Sequence, residues 1–146
     1  SEKEKGCIFC TRLKRRDSLK NLILYRGRKV FVIMNKFPYN TGHVMVVPMR
    51  HVGQLERLTA EEASEFMALI QRTAAVVKKV LRPDAMNLGM NLGRSSGAGI
   101  PGHLHMHIVP RWNGDTNFMP IIGKTRVISV PLGPVYKQLR AEFRNG

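Results

Sequence analysis

The 146-residue sequence predicts an α+β fold, in which an antiparallel sheet packs with one long amphipathic helix and a short C-terminal helix. Short runs of β-branched and other apolar residues alternate with turn-forming residues, as in antiparallel strands. One longer segment instead repeats its apolar residues with a helical period. Because ordinary domains have about 100–200 residues, the whole chain, 1–146, is expected to form one domain.

Three apolar runs in the first third of the chain predict an antiparallel meander. They cover residues 22–25, 29–34 and 43–48, and glycine, proline and asparagine residues separate them. Residues 1–20 precede the meander as a basic leader that carries both cysteines of the chain.

The longest periodic segment predicts the main helix. Thr59 begins it, because Glu62 three residues later completes a capping box. Apolar residues then recur every three or four positions as far as Leu81, and Pro83 ends the helix.

The rest of the chain predicts two strands and a short helix. The strands cover residues 86–92 and 103–110, on either side of a glycine-rich loop at 93–102. The final amphipathic helix carries three large residues on one side, Tyr136, Leu139 and Phe143.

Charge and hydropathy narrow the class of partner. Lysine and arginine number 24 against 10 acidic residues, and half of the resulting +14 charge lies in residues 1–30. A field of that sign concentrates anions, so phosphate-bearing partners are expected, with a solvated charged face as the alternative.

No run reaches the ~18 apolar residues of a membrane span, and no signal peptide is evident, so the expected location is cytoplasmic.

Cys7 and Cys10 lie in one Cys-x-x-Cys motif, which predicts a metal site rather than a disulfide scaffold. A thioredoxin-like redox pair would follow a strand, and no strand pattern precedes this motif. Two thiolates make half of a tetrahedral zinc site. The other ligands must come from the five histidines, His43, His51, His103, His105 and His107.

Three histidines alternate with apolar residues between Gly102 and Pro110. On a strand, this alternation places His103, His105 and His107 on one face. Same-face neighbours are about 6.6 Å apart, and the outer pair is about 13 Å apart. One ion can therefore bind two adjacent histidines but not the outer two together, so at least one histidine has another task.

The string from His103 to Val109 resembles the signature of the histidine triad (HIT) superfamily, whose members are nucleotidyl hydrolases and transferases acting on nucleotide α-phosphates. The resemblance extends over residues 30–48 and 91–93. Residues 110–120 resemble the bacterial and archaeal branch related to diadenosine tetraphosphate phosphorylase. The resemblance implies an α+β fold and a homodimer.

The resemblance also implies a covalent mechanism at the triad. His105, the central histidine, would be the nucleophile, since an imidazole with an ordinary pKa of about 6.5 is largely neutral at cytosolic pH. A hydrogen bond from its other ring nitrogen to a carbonyl would fix the tautomer. Attack would give a nucleotidyl-imidazole and split the displacement into two in-line steps. His107 would donate a hydrogen bond to the phosphate or the leaving oxygen, with a structural role as the alternative.

Nucleotide contacts follow from the same resemblance. Asn35 would contact the ribose and Asn91 a phosphate, although turn formation explains an asparagine at either position. The glycine-rich loop offers backbone N–H groups, hydroxyls and a cation to the phosphates. The loop residues assigned to this role are Arg94, Ser95, Ser96, Gly97 and Gly99.

Superfamily members with a Cys-x-x-Cys motif complete a zinc site with two histidines. Carried over to this chain, the ligands are Cys7, Cys10, His51 and His103. Such a site is structural, with four protein ligands and no open position. His43 lies inside an apolar strand and is expected to be structural as well.

Gly99 departs from the pattern of hydrolases and phosphoramidases in the superfamily, which usually carry glutamine four residues before the first triad histidine. A glycine there enlarges the anion site, which would let inorganic phosphate enter as the second nucleophile. The favoured function is phosphorolysis of dinucleoside polyphosphates, in which diadenosine tetraphosphate and phosphate give ATP and ADP. Hydrolysis of dinucleoside polyphosphates or nucleoside phosphoramidates is the nearest alternative.

Two further alternatives are weaker. Metal-dependent hydrolysis would place zinc on two triad histidines, but Cys7 and Cys10 are better zinc ligands. A basic nucleic-acid-binding module would fit the charge of +14, but aromatic residues make up only 7% and no known nucleic-acid motif is present. The alternating histidines would then be unexplained, so nucleic acid is not the expected partner.

Overall fold

The computed structural model describes residues 6–115 and 131–145. Residues 1–5 of the basic leader, and residues 116–120 of the segment that resembles the phosphorylase branch, therefore lie outside the described residues. In the described chain, five strands form one antiparallel sheet in the order β1-β2-β3-β5-β4. They are β1 (Ile23–Arg26), β2 (Val30–Met34), β3 (Val44–Pro48), β4 (Ala85–Gly89) and β5 (Met106–Arg111). The α+β class is confirmed, and the first three strands form the predicted meander.

Three helices accompany the sheet in the described residues, α1 (Ile8–Leu13), α2 (Ala60–Leu81) and α3 (Leu132–Asn145). The predicted capping box of α2 is confirmed. The Thr59 hydroxyl accepts a hydrogen bond from the Glu62 N–H at 3.1 Å, and the Glu62 carboxylate accepts one from the Thr59 N–H at 2.9 Å. None of the described helices combines the length and apolar character that a membrane crossing requires.

Helix α1 lies within residues 1–20, where the sequence predicts only a basic leader. Its six residues are too few to show a helical period, and Phe9 is its one large apolar side chain that is fully buried. Tertiary contacts hold the helix, among them a 2.8 Å hydrogen bond from the Asn21 side chain to the carbonyl oxygen of Arg12.

The centre of the sheet is buried, whereas one end is open. Every residue of β2 and β3 is buried. Helix α2 packs on both strands, and Phe9 of α1 contacts Phe31 of β2. Helix α3 packs on β1 and α2. Strand β4 ends the sheet on the other side and is mostly exposed, with Leu88 at 46%.

Strand β4 is shorter than the predicted strand 86–92. It covers Ala85–Gly89, and Gly89 is the ladder partner of His107 in β5. The ladder between β4 and β5 ends at this pair, one residue after β5 begins at Met106. Asn91 therefore lies in the loop that follows the strand.

The prediction of a strand over 103–110 is wrong at its start, because β5 begins only at Met106. Strand β3 ends at Pro48, whose carbonyl oxygen accepts a hydrogen bond from the His103 side chain instead of from a strand backbone. The Leu104 N–H donates to the carbonyl oxygen of Val52, beyond the end of β3. The first two triad histidines thus precede the regular strand.

Candidate functional site

All five histidines of the chain lie side by side and form what we call the histidine row. Their order is His51, His103, His105, His107 and His43. Ring centroids of neighbours are 5.1, 4.8 and 5.0 Å apart, except between His103 and His105, where the Phe9 ring contacts both. The row connects the two cysteines at one end with the loop between β2 and β3 at the other.

His105 lies in the middle of the histidine row and is 7% exposed. Its Nδ1 is 2.9 Å from the carbonyl oxygen of His103. Because a carbonyl oxygen can only accept, Nδ1–H is the donor, and the lone pair of the neutral ring is on Nε2. The predicted hydrogen bond to a carbonyl is present, and Nε2 is the ring atom left for attack.

A second chain of hydrogen bonds fixes the tautomer of His107. The backbone N–H of Tyr39 donates to Nδ1 of His43 at 3.2 Å, so a neutral His43 carries its proton on Nε2. That Nε2 is 2.8 Å from Nδ1 of His107, to which it donates. His107 must then carry its own proton on Nε2, where it offers a hydrogen-bond donor.

Burial keeps both of these rings neutral. Burial, followed by the nearby His107 and His105, lowers the pKa of His43 to about 3. Burial and then His105 lower the pKa of His107 to about 4. At pH 7, His107 is therefore a neutral donor rather than a cation.

The sequence alone does not indicate this contact of His43. His43 and His107 are 64 positions apart, and they meet because β3 pairs with β5, with Met45 opposite His107. A histidine that precedes an apolar strand carries no signal that another histidine lies across the ladder.

For the nucleotidyl transfer that the sequence predicts, we expect His43→Phe to lower kcat by about 10–100-fold, as the loss of a residue that orients a metal-binding histidine does. His43→Gln should lose much less, because its amide N–H can donate to Nδ1 of His107 in place of the imidazole. Steady-state kinetics of both variants, with melting temperatures as a check on folding, measure this difference. Equal activity of the two variants would show that the hydrogen bond to His107 is unimportant.

The other end of the histidine row holds a group that could bind a metal. One ligand atom from each of Cys7, Cys10, His51 and His103 lies within 4.8 Å of the others. Nδ1 of His103 is 3.3 and 3.6 Å from the two Sγ atoms and 3.2 Å from Nδ1 of His51. A tetrahedral site with bonds of about 2.0–2.3 Å has ligand–ligand edges of about 3.3–3.8 Å. The three distances from Nδ1 of His103 therefore agree with the edges of a tetrahedral site.

The orientation of His103 also suits a metal ligand. Its Nε2–H donates to the carbonyl oxygen of Pro48 at 2.7 Å, so the lone pair of the neutral ring is on Nδ1, toward the thiols. An outer hydrogen bond of this kind is what orients metal-binding histidines in general. The four residues expected to bind zinc are thus brought together, and their thiol and imidazole donors suit that ion.

The glycine-rich loop lies next to the triad and is open. Its candidate phosphate-binding residues are all exposed, and so is Asn91. Residues Arg94–Ser96 form a 3₁₀ turn, closed by a 2.7 Å hydrogen bond from the Ser96 hydroxyl to the Gly93 carbonyl oxygen. A Cβ built at Gly99 would meet no atom within 4 Å, so the space beside this residue is free.

Asn35 forms the turn that its local sequence predicts. Its side-chain oxygen accepts a hydrogen bond from the Phe37 N–H at 2.9 Å, at the start of the loop between β2 and β3. The residue is half-buried, and a contact with ribose stays a prediction.

Comparison with known proteins identifies relatives of this chain. The HIT domain family model matches residues 16–114. A protein of Mycobacterium tuberculosis named AP-4-A phosphorylase is 47% identical over 122 residues, which cover 84% of this chain and 63% of that protein. This chain therefore spans less than two thirds of the length of that relative.

Two solved structures have a similar fold. A hypothetical histidine triad nucleotide-binding protein from Sulfolobus tokodaii is 26% identical, with a TM-score of 0.77 over 95% of this chain and 93% of that one. A zinc-bound histidine triad family protein from Mycobacterium smegmatis is 24% identical, with a TM-score of 0.75 over 96% and 94% of the two chains. At 24% identity, the similarity to the M. smegmatis protein shows a shared fold only.

Proposed function

This chain belongs to the HIT domain family, and from that membership we propose that it transfers nucleotidyl groups through a histidine–nucleotide intermediate. The proposed substrate is a dinucleoside polyphosphate such as diadenosine tetraphosphate, and the acceptor is inorganic phosphate. The name of the M. tuberculosis relative supports this choice.

In the first step, Nε2 of His105 attacks the α-phosphorus and the bond from that phosphorus to the bridging oxygen breaks, so ATP leaves. The observation that carries this proposal is the hydrogen bond from Nδ1–H of His105 to the carbonyl oxygen of His103. It leaves the Nε2 lone pair free, so no separate base is needed. The same carbonyl oxygen stabilises the positive charge that the ring gains as the N–P bond forms.

His107 is proposed to assist the leaving group. Its ring is 4.8 Å from that of His105, and its tautomer places N–H on Nε2. A neutral donor at this position stabilises the charge that develops on the bridging oxygen. His43 supports that donor by fixing the tautomer of His107.

In the second step, a phosphate oxygen attacks the adenylyl phosphorus, the N–P bond breaks, and ADP forms while His105 returns to the neutral state. Water competes with phosphate for this intermediate. Water is present at about 55 M, so phosphate wins only if an anion site raises its effective concentration. We propose that the open space beside Gly99 provides that site.

We expect Gly99→Gln to lower the ratio of ADP to AMP by about tenfold or more, because the amide side chain fills the anion site and lowers the effective concentration of phosphate. The substitution should not disturb folding, since nothing lies within 4 Å of the added Cβ. Product analysis at several phosphate concentrations measures the ratio. Gly133→Gln on α3 is the matched control, and an unchanged ratio in Gly99→Gln would assign the choice of acceptor to other residues.

The remaining nucleotide contacts are proposed from the family resemblance. Arg94, Ser95, Ser96 and Gly97 would bind the phosphates, for which their exposure in the loop next to the triad is suitable. Asn35 would contact the ribose, and Asn91 a phosphate.

We further propose that the metal at the Cys/His cluster is zinc, bound as a structural ion by four protein ligands. The distances from Nδ1 of His103 to the other three ligand atoms, and the orientation of His103, support this assignment. Residues 1–146 are proposed to act as one cytoplasmic domain and to form a homodimer. Strand β4 is mostly exposed and is the last strand of the sheet among the described residues, which supports the dimer.

One experiment tests the proposed reaction. The protein is incubated with diadenosine tetraphosphate in the presence and absence of phosphate, and the products are separated. Phosphorolysis predicts ATP and ADP when phosphate is present. ATP and AMP at every phosphate concentration would identify a hydrolase, and unchanged substrate would exclude both activities.

A further inference from the structure

Phe9 lies where the metal cluster meets the proposed nucleophile. Its side chain is fully buried, and its ring is 5.3 Å from the ring of His103 and 5.1 Å from that of His105. It also contacts Phe31 of β2, with centroids 6.4 Å apart. The proposed reaction gives this residue no role.

Two residues of the metal cluster flank Phe9 in the chain. Phe9 is between Cys7 and Cys10 at the start of α1, so both thiols are within one helical turn of it. Helix α1 has six residues and no side-chain cap at its N-terminus, and a helix of that length is not stable by itself. An ion bound by both thiols would attach this turn to His51 and His103 and so fix the Phe9 ring.

Residues at the metal cluster also orient His105. The hydrogen bond to its Nδ1 comes from the backbone of His103, whose ring is one of the four candidate ligands. Phe9 packs against the His105 ring, and His107, which does not belong to the cluster, also contacts that ring. Two of these three contacts therefore come from residues at the metal cluster.

We propose that Phe9 is a positioning residue through which the metal centre holds His105 in its attacking orientation. The proposal rests on the role of His105 as nucleophile. Without the metal, the first turn of α1 loses its anchor, the Phe9 ring leaves its place, and the His105 ring gains other orientations. A displacement of about 1 Å in a reacting group can cost about 10²-fold in rate, so the ion controls kcat although it contacts no substrate.

Phe9→Leu tests the proposal, because leucine stays buried and apolar but lacks the ring that contacts the two histidines. Phe143→Leu is the matched control. It makes the same change at a position that is 2% exposed on α3, where the ring stacks on Tyr25 rather than on a histidine. Wild type and both variants are compared with zinc bound and after removal of zinc by a chelator.

Two readouts are needed. The first is the NMR signals of the His105 ring nitrogens, assigned with the His105→Gln variant, which report the orientation of the ring without any turnover. The second is kcat and KM for diadenosine tetraphosphate.

In wild type and in Phe143→Leu, removal of zinc should shift or broaden the His105 signals and lower kcat. In Phe9→Leu with zinc bound, kcat should be about tenfold lower with KM within about twofold of wild type. Removal of zinc from that variant should then change both readouts less than it does in Phe143→Leu, because only the path through the backbone of His103 is left.

Three results would overturn the proposal. The first is a response of His105 to zinc removal that is as large in Phe9→Leu as in Phe143→Leu. The second is a raised KM with unchanged kcat, which would make Phe9 a substrate-binding residue. The third is wild-type protein that holds no zinc. If His105 responds to zinc through Phe9 but diadenosine tetraphosphate is not consumed, the proposed function fails and the link between metal and ring stands.

Discussion

Replacing His105 with alanine should lower kcat by at least about 10³-fold, because the variant lacks the nitrogen that forms the covalent bond. Zinc content and nucleotide binding should change little, since the residues of the metal cluster and of the phosphate loop are untouched. Turnover of diadenosine tetraphosphate and the affinity for a non-reacting nucleotide measure the two effects separately.

A second variant excludes a packing effect. His105 is 7% exposed, so alanine leaves a small cavity beside Phe9. His105→Gln restores most of the volume but has no ring nitrogen that can attack phosphorus. Both variants should therefore be inactive, and turnover within a few-fold of wild type in either one would reject the covalent mechanism.

The double substitution Cys7→Ser and Cys10→Ser should lower the melting temperature by about 10–15 °C. Structural zinc binds with an apparent free energy of about 10–16 kcal/mol in small domains. Loss of only about 4 kcal/mol of that stabilisation would produce the stated change in a domain of this size. Thermal unfolding and elemental analysis measure the effect, with about one zinc per chain expected in wild type and none in the variant.

Chelation provides the control for this substitution. A chelator should lower the melting temperature of wild type toward that of the double variant, and it should not affect the double variant further. If wild type contains no zinc and has the same melting temperature as the double variant, the Cys-x-x-Cys motif has no metal-binding role.

The parts of the fold that the sequence predicts well are those with a local physical cause. The capping box of Thr59 and Glu62 involves residues three positions apart, and it is present as predicted. The alternation of His103, His105 and His107 likewise predicts neighbouring rings, although only the last of them lies within β5. The distances that such patterns encode are set by the backbone itself.

The parts that the sequence does not predict depend on contacts between distant segments. Helix α1 has too few residues for a period, and its stability comes from packing of Phe9 and from the cluster around Cys7 and Cys10. The contact of His43 with His107 requires β3 to pair with β5, although β4 comes between them in the chain. A single sequence does not specify that order of strands.

The central claim is that the adenylyl group passes through His105, and trapping the intermediate tests it most directly. Wild-type protein is mixed with diadenosine tetraphosphate without phosphate, quenched rapidly without acid because the phosphoramidate bond is acid-labile, and digested for peptide mass spectrometry. We predict an adenylyl group on His105 that is discharged as ADP when phosphate is added before the quench. An adduct on another residue, or steady turnover with no adduct at any reaction time, would contradict the account.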